Sequence, residues 1–153
     1  MTPRNLVEEL GRRLGIQLAL DSSGLARIVV DGNLPVDFEL DEANGRLLVY
    51  AVLGLPPSGA ARSRFFEDVL AANLFGAELG HCAPAFDRER NEVLFWFAIA
   101  EDGNLDDATT RLEQLVGYVE QWRDKLADAQ TAAPAEPAAD GAASSTFGQF
   151  MRA

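Results

Sequence analysis

Residues 25–53 read LARIVVDGNLPVDFELDEANGRLLVYAVL, and their pattern decides the fold. Leu25 to Val30 is a run that ends in the β-branched Ile28, Val29 and Val30. Leu34, Val36, Phe38 and Leu40 then alternate with Pro35, Asp37 and Glu39, and Arg46 to Leu53 is apolar again. Asp31-Gly32-Asn33 and Asn44-Gly45 separate the runs with residues that accept positive φ, as tight turns between antiparallel strands require. The stretch predicts a three-stranded antiparallel meander.

Upstream, Thr2 and Pro3 form a helix start, a capping hydroxyl before proline at the first helical position. Leu6, Val7, Leu10 and Leu14 follow at helical spacing and Gly15 ends the helix. Downstream, Gly54-Leu55-Pro56-Pro57-Ser58-Gly59 breaks the pattern. Phe65, Phe66, Val69, Leu70 and Leu74 mark a second helix closed by Gly76. Ala83 to Asp87 and Glu92 to Ala100 flank the polar turn Arg88-Glu89-Arg90-Asn91 as a second hairpin. After Asn104, the residues Leu105, Ala108, Leu112, Leu115, Val116, Val119, Trp122 and Leu126 keep one apolar face on a long final helix. Asp106 and Asp107 at its start and Arg123 and Lys125 near its end suit the helix dipole. The order α-β-β-β-α-β-β-α segregates strands from helices, so the fold class is α+β: an antiparallel five-stranded twisted sheet with three helices.

Arg46–Leu53 and Val93–Ala100 are apolar at nearly every position, which requires cover on both faces of the sheet. Three helices cover one face. A second copy of the chain is the simplest cover for the other, and the crowded aromatics Phe65, Phe66, Phe95, Trp96 and Phe97, with Val69 and Leu70 of the second helix, are the expected dimer interface.

The 153 residues divide by composition near Ala129. Residues 1–128 hold the folding pattern and a net charge of −10. Eight of the eighteen residues from Ala129 to Thr146 are alanine, interspersed with Pro134, Pro137, Gly141, Ser144 and Ser145, which is too little apolar bulk to offset ordering entropy. Residues 129–153 are therefore expected to be a flexible Ala/Pro-rich tail, with Phe147, Phe150 and Met151 as its apolar cluster.

Thirteen Lys and Arg against 24 Asp and Glu give a formal charge of −11, which disfavours nucleic acid and anionic lipid as partners. No apolar run approaches the ~20 residues of a membrane span, Glu8 and Glu9 interrupt any signal-peptide core, and Cys82 is alone. These features point to the cytoplasm.

Chemistry-bearing residues are few. His81 and Cys82 are neighbours, which point apart in extended chain, and with one of each no thiolate and imidazole metal cage can be built. Asp37 and Glu39 share a strand face as paired carboxylates would, although the alternation around them also makes that face a solvated one. Asp102-Gly103-Asn104 lacks the remaining ligands of a calcium loop, and no glycine set matches a phosphate-binding loop. No catalytic residue, metal site or cofactor is expected.

Leu14-Gly15-Ile16 after the first helix, Asp21 and Gly24 before the first strand, and Leu53-Gly54-Leu55-Pro56 after the third form an ordered set. Leu70-Ala71-Ala72-Asn73-Leu74 and Leu105-Asp106 leading to Leu112, Leu115, Val119 and Trp122 complete it. Over about residues 4 to 126 this set resembles the class I chaperones of bacterial type III secretion, the Tir chaperone (CesT) family. The resemblance implies a homodimer with the second helix and neighbouring strands at its two-fold interface. It also implies a chaperone that binds the N-terminal region of a secreted effector in extended form and keeps it export-competent without ATP. The secretion ATPase is the further partner it brings into question.

An extended client needs apolar pockets and a free strand edge. Leu6, Leu10, Leu14, Ile16, Leu18, Ile28, Val30, Val36 and Phe38 are the expected client-groove residues, shared with the core. Two alternatives stand beside this reading. One is a small dimeric α+β enzyme acting on a cationic or neutral metabolite through Asp37 and Glu39. The other is a non-catalytic adaptor whose Ala/Pro tail tethers another domain.

Overall fold

The computed structural model describes residues 1–132. Helix α1 (Pro3–Leu14) is capped by Thr2, whose hydroxyl accepts from the Asn5 N–H, and it ends at Gly15 in the left-handed region. Strands β1 (Leu25–Val30), β2 (Leu34–Asp41) and β3 (Arg46–Gly54) form the meander. Helix α2 (Ala60–Ala72), strands β4 (Ala83–Asp87) and β5 (Glu92–Ala100), and the 28-residue helix α3 (Leu105–Ala132) follow. All strand pairings are antiparallel, in the order β1-β2-β3-β5-β4. The three helices and five strands match the expected α+β architecture among the described residues.

Three local details differ from expectation. Asn44-Gly45 does not form a two-residue turn. Glu42–Asn44 is a 3-10 turn in which the Asp41 carboxylate accepts from the Asn44 N–H, and Gly45 closes it at positive φ. Helix α2 stops at Ala72 rather than Gly76, because a 3-10 turn at Leu74–Gly76 interrupts it with Phe75 at φ 54°. Helix α3 continues through Ala132, past the change in composition at Ala129, so alanine carries the helix onward. Phe147, Phe150 and Met151 lie outside the described residues.

The core lies on one face of the sheet. Leu34, Val36 and Phe38 of β2, Leu47, Val49, Ala51 and Leu53 of β3, and Val93, Phe95, Phe97 and Ile99 of β5 are all buried there. Against them α3 places Ala108, Leu112, Leu115, Val119, Trp122 and Leu126, whose alternate spacing of four and three residues keeps one helical face on the sheet. Trp122 meets Phe65 and Phe95 edge-on, with ring centroids 6.1 and 6.0 Å apart. Helix α1 adds Leu6, Val7 and Leu10.

Candidate functional site

Because strand side chains alternate, the face opposite the helices is defined by parity. The pairing register draws a row across it, Arg27, Asp37, Tyr50, Trp96 and Ala83, flanked by Leu48 opposite Ala98 and by Val52 opposite Leu94 opposite Ala85. Every second residue of β3 and β5 is buried, and those between, including Leu48, Tyr50, Val52, Leu94, Trp96 and Ala98, are only half-buried. Among the described residues nothing covers them. Leu48, Tyr50, Val52, Leu94 and Trp96 line an open basin of about 450 Å³.

The rim of this basin is charged and, Glu92 apart, internally paired. Arg27 holds Asp37 with two bonds of 2.6 and 2.9 Å, Arg46 donates to Asp41 at 2.8 Å, and Arg90 donates to Asp87 at 2.8 Å. The Arg46 and Asn44 hydrogen bonds hold the Asp41 carboxyl below its usual range, and Arg90 does the same for Asp87. Burial, then the Asp37 and Glu39 charges, push the Tyr50 phenol up. An apolar centre inside a satisfied polar rim is the anatomy of a protein interface.

The carboxylates weighed as an acid/base pair have other engagements. Both Asp37 oxygens face Arg27, and Glu39 sits 3.5 Å from the Tyr50 hydroxyl. His81 is exposed while Cys82 is buried, and burial pushes the Cys82 thiol up to about 11, far from thiolate chemistry.

The expected dimer residues separate into two groups. Phe65, Val69, Phe95 and Phe97 are interior to the single chain, since β5 turns Phe95 and Phe97 toward α3. This corrects their assignment to an interface: without unfolding they present no surface. Trp96 faces the open basin, Phe66 is half-buried, and Leu70 is exposed. The interface candidates that sequence reasoning missed are Leu48, Tyr50, Val52 and Leu94, together with Leu74 and the 99% exposed Phe75 beside Leu70. Parity counted from Trp96 would have found the strand residues; the exposure of Phe75 follows from a break in α2 that no periodicity announces.

The expected groove residues separate in the same way. Leu6, Leu10, Leu18, Val36 and Phe38 are buried in the core, which corrects their assignment to a client surface. Ile28 and Val30 are partly buried and pack against that core, whereas Leu14 and Ile16 are exposed at the end of α1. Leu25 and Val29, not among the expected residues, are exposed on β1. Strand β1 is an edge of the sheet. At the opposite edge β4 carries Pro84, which blunts strand pairing, whereas β1 has no proline.

Residues 5–123 match the Tir chaperone protein (CesT) family. The chain belongs to this family. A Chlamydia pneumoniae protein is 26% identical over 123 residues, 79% of this chain and 93% of its own. Among solved structures, a chain of the HopA1-SchA chaperone-effector complex superposes with a TM-score of 0.65 at 19% identity, covering 78% of this chain and 91% of that one. A chain of the ExsC-ExsE complex gives 0.65 at 22%, with 82% and 97% covered. The heterodimeric ExoU-SpcU complex of the Pseudomonas aeruginosa type III secretion system contains a chain that gives 0.57 at 22%, with 84% and 97% covered. At these identities the likeness is one of fold, and it extends over 91%, 97% and 97% of those three chains.

Proposed function

We propose that this CesT-family chain is a type III secretion chaperone of the bacterial cytoplasm. It holds the N-terminal region of a secreted effector in extended form and performs no catalytic step. Two copies associate through the open faces of β3 and β5, with Leu48, Tyr50, Leu94 and Trp96 at the centre and the Leu70, Leu74 and Phe75 ridge contributing. Residues 1–128, with the remainder of α3, are its working unit.

The observation that carries the reading is the free edge of β1 beside exposed apolar side chains. A client strand gains backbone hydrogen bonds there, and Leu25, Val29, Leu14 and Ile16 give its side chains apolar contacts. Placing the dimer on the open sheet face leaves this edge available in both copies. The folds of chaperone–effector and ExsC-ExsE complexes among the structural neighbours support the assignment.

Capture of the tagged chain from its own bacterium with secretion blocked tests it. A larger protein retained through its N-terminal region, and lost with Val29→Asp while the thermal midpoint is unchanged, is the expected result. The secretion ATPase is a second partner to seek in the same eluate. Capture of no protein, or of one whose binding ignores Val29→Asp, overturns the β1 reading.

A further inference from the structure

We propose that residues 147–151 of the chain cover its own open sheet face whenever a second copy does not. The inference rests on reading that face as a self-association surface, and it adds an internal competitor for it.

The end of α3 supplies the geometry. Arg123 donates to the Val52 carbonyl at 3.0 Å and Gln130 donates to the Leu55 carbonyl at 2.8 Å, so the helix finishes beside the end of β3. Gly54 pairs with Val93 there, which makes it also the start of β5. Gln130, near the end of α3, therefore lies beside the end of the sheet where the open basin begins at Val52 and Leu94. Trp96 lies four residues along β5 from Glu92, about 13 Å at the usual rise of a strand. The fifteen Cα-to-Cα steps from Ala132 to Phe147 span up to about 50 Å when extended. Reach is ample, with slack to round the β4–β5 turn.

Composition supplies the occupant. From residue 133 onward the only large apolar side chains are Phe147, Phe150 and Met151, gathered in the last seven residues after a run dominated by alanine, proline, glycine and serine. The composition is thus a run poor in apolar bulk followed by one apolar cluster. The open basin, about 450 Å³, is lined by the apolar groups of Leu48, Tyr50, Leu94 and Trp96. A tethered segment is present at an effective concentration in the ~mM range, so a weak contact in cis competes with a second copy at micromolar concentration. Each copy must clear its own face before pairing, and the closed fraction therefore acts twice on the dimer equilibrium.

The test compares the full chain with its Phe147→Ser/Phe150→Ser variant, whose changes lie outside the core. Self-association is followed by sedimentation equilibrium, and iodide quenching of tryptophan fluorescence is measured in dilute, monomeric samples. Trp122 is 3% exposed, so quenching reports on Trp96. The expected result is at least about tenfold tighter self-association in the variant, together with stronger quenching. Equal quenching and equal association in the two chains overturns the inference, and leaves the dimer reading standing if Trp96→Asp still abolishes association. Stronger quenching in a variant that stays monomeric at every concentration would uphold tail docking and overturn the dimer reading instead.

Discussion

Cys82 and Phe75 show how differently single residues are held. Cys82 is 2% exposed, and burial raises its thiol from the usual 9.0 to about 11. A raised pKa means that the fold favours the neutral thiol. Its contribution to stability is complete below pH 9 and is lost as the pH rises through about 11. At pH 8 iodoacetamide should therefore modify Cys82 no faster than the chain unfolds; rapid, denaturant-independent alkylation would contradict its burial. Phe75 is the opposite case: a bulky residue at positive φ, 99% exposed, gaining nothing from its own chain. Asparagine tolerates this conformation better. Phe75→Asn should stabilise the isolated chain by up to ~1 kcal/mol in urea titration while weakening self-association. A loss of monomer stability would show that the ring packs internally.

At the scale of elements, α1 is held by the chain that leaves it. Gly11 lies against the extended segment after the helix. A Cβ there would come within 2.8 Å of the Leu18 Cβ and 3.0 Å of the Ile16 carbonyl oxygen. Gly11→Ala, favourable in an isolated helix, should here cost about 1–3 kcal/mol by overpacking, read as a lowered urea midpoint at unchanged slope. A stabilised variant would mean that α1 is free to shift. The elements themselves were legible in the sequence. The Thr2-Pro3 start, the alternation of β2 and the Asp31-Gly32 turn are local signals, and local physics sets them. The end of α2 was not legible, because Phe75 adopts a conformation that its own propensity opposes. Nor were the inward and outward roles of Phe95, Trp96 and Phe97: three adjacent aromatics look alike in composition, and only the sheet's pairing decides which face each joins. The client residues failed for the same reason, since the apolar alternation that located β2 is the alternation that buries Val36 and Phe38.

At the scale of the whole molecule, a sheet apolar on both faces carries helices on one. The role proposed for the other face is to join two copies and leave β1 free for an extended client. The most direct test is the mass of the purified chain and of its Trp96→Asp variant by multi-angle light scattering, with Phe147 and Phe150 both intact and replaced. The parent should have twice the 16.6 kDa of one chain at high concentration. Trp96→Asp should have the single mass, with an unchanged far-UV spectrum, because Trp96 lies outside the core that Phe95 and Phe97 build. A doubled mass that survives Trp96→Asp, or a single mass at every concentration whether or not the two phenylalanines are replaced, would contradict this role.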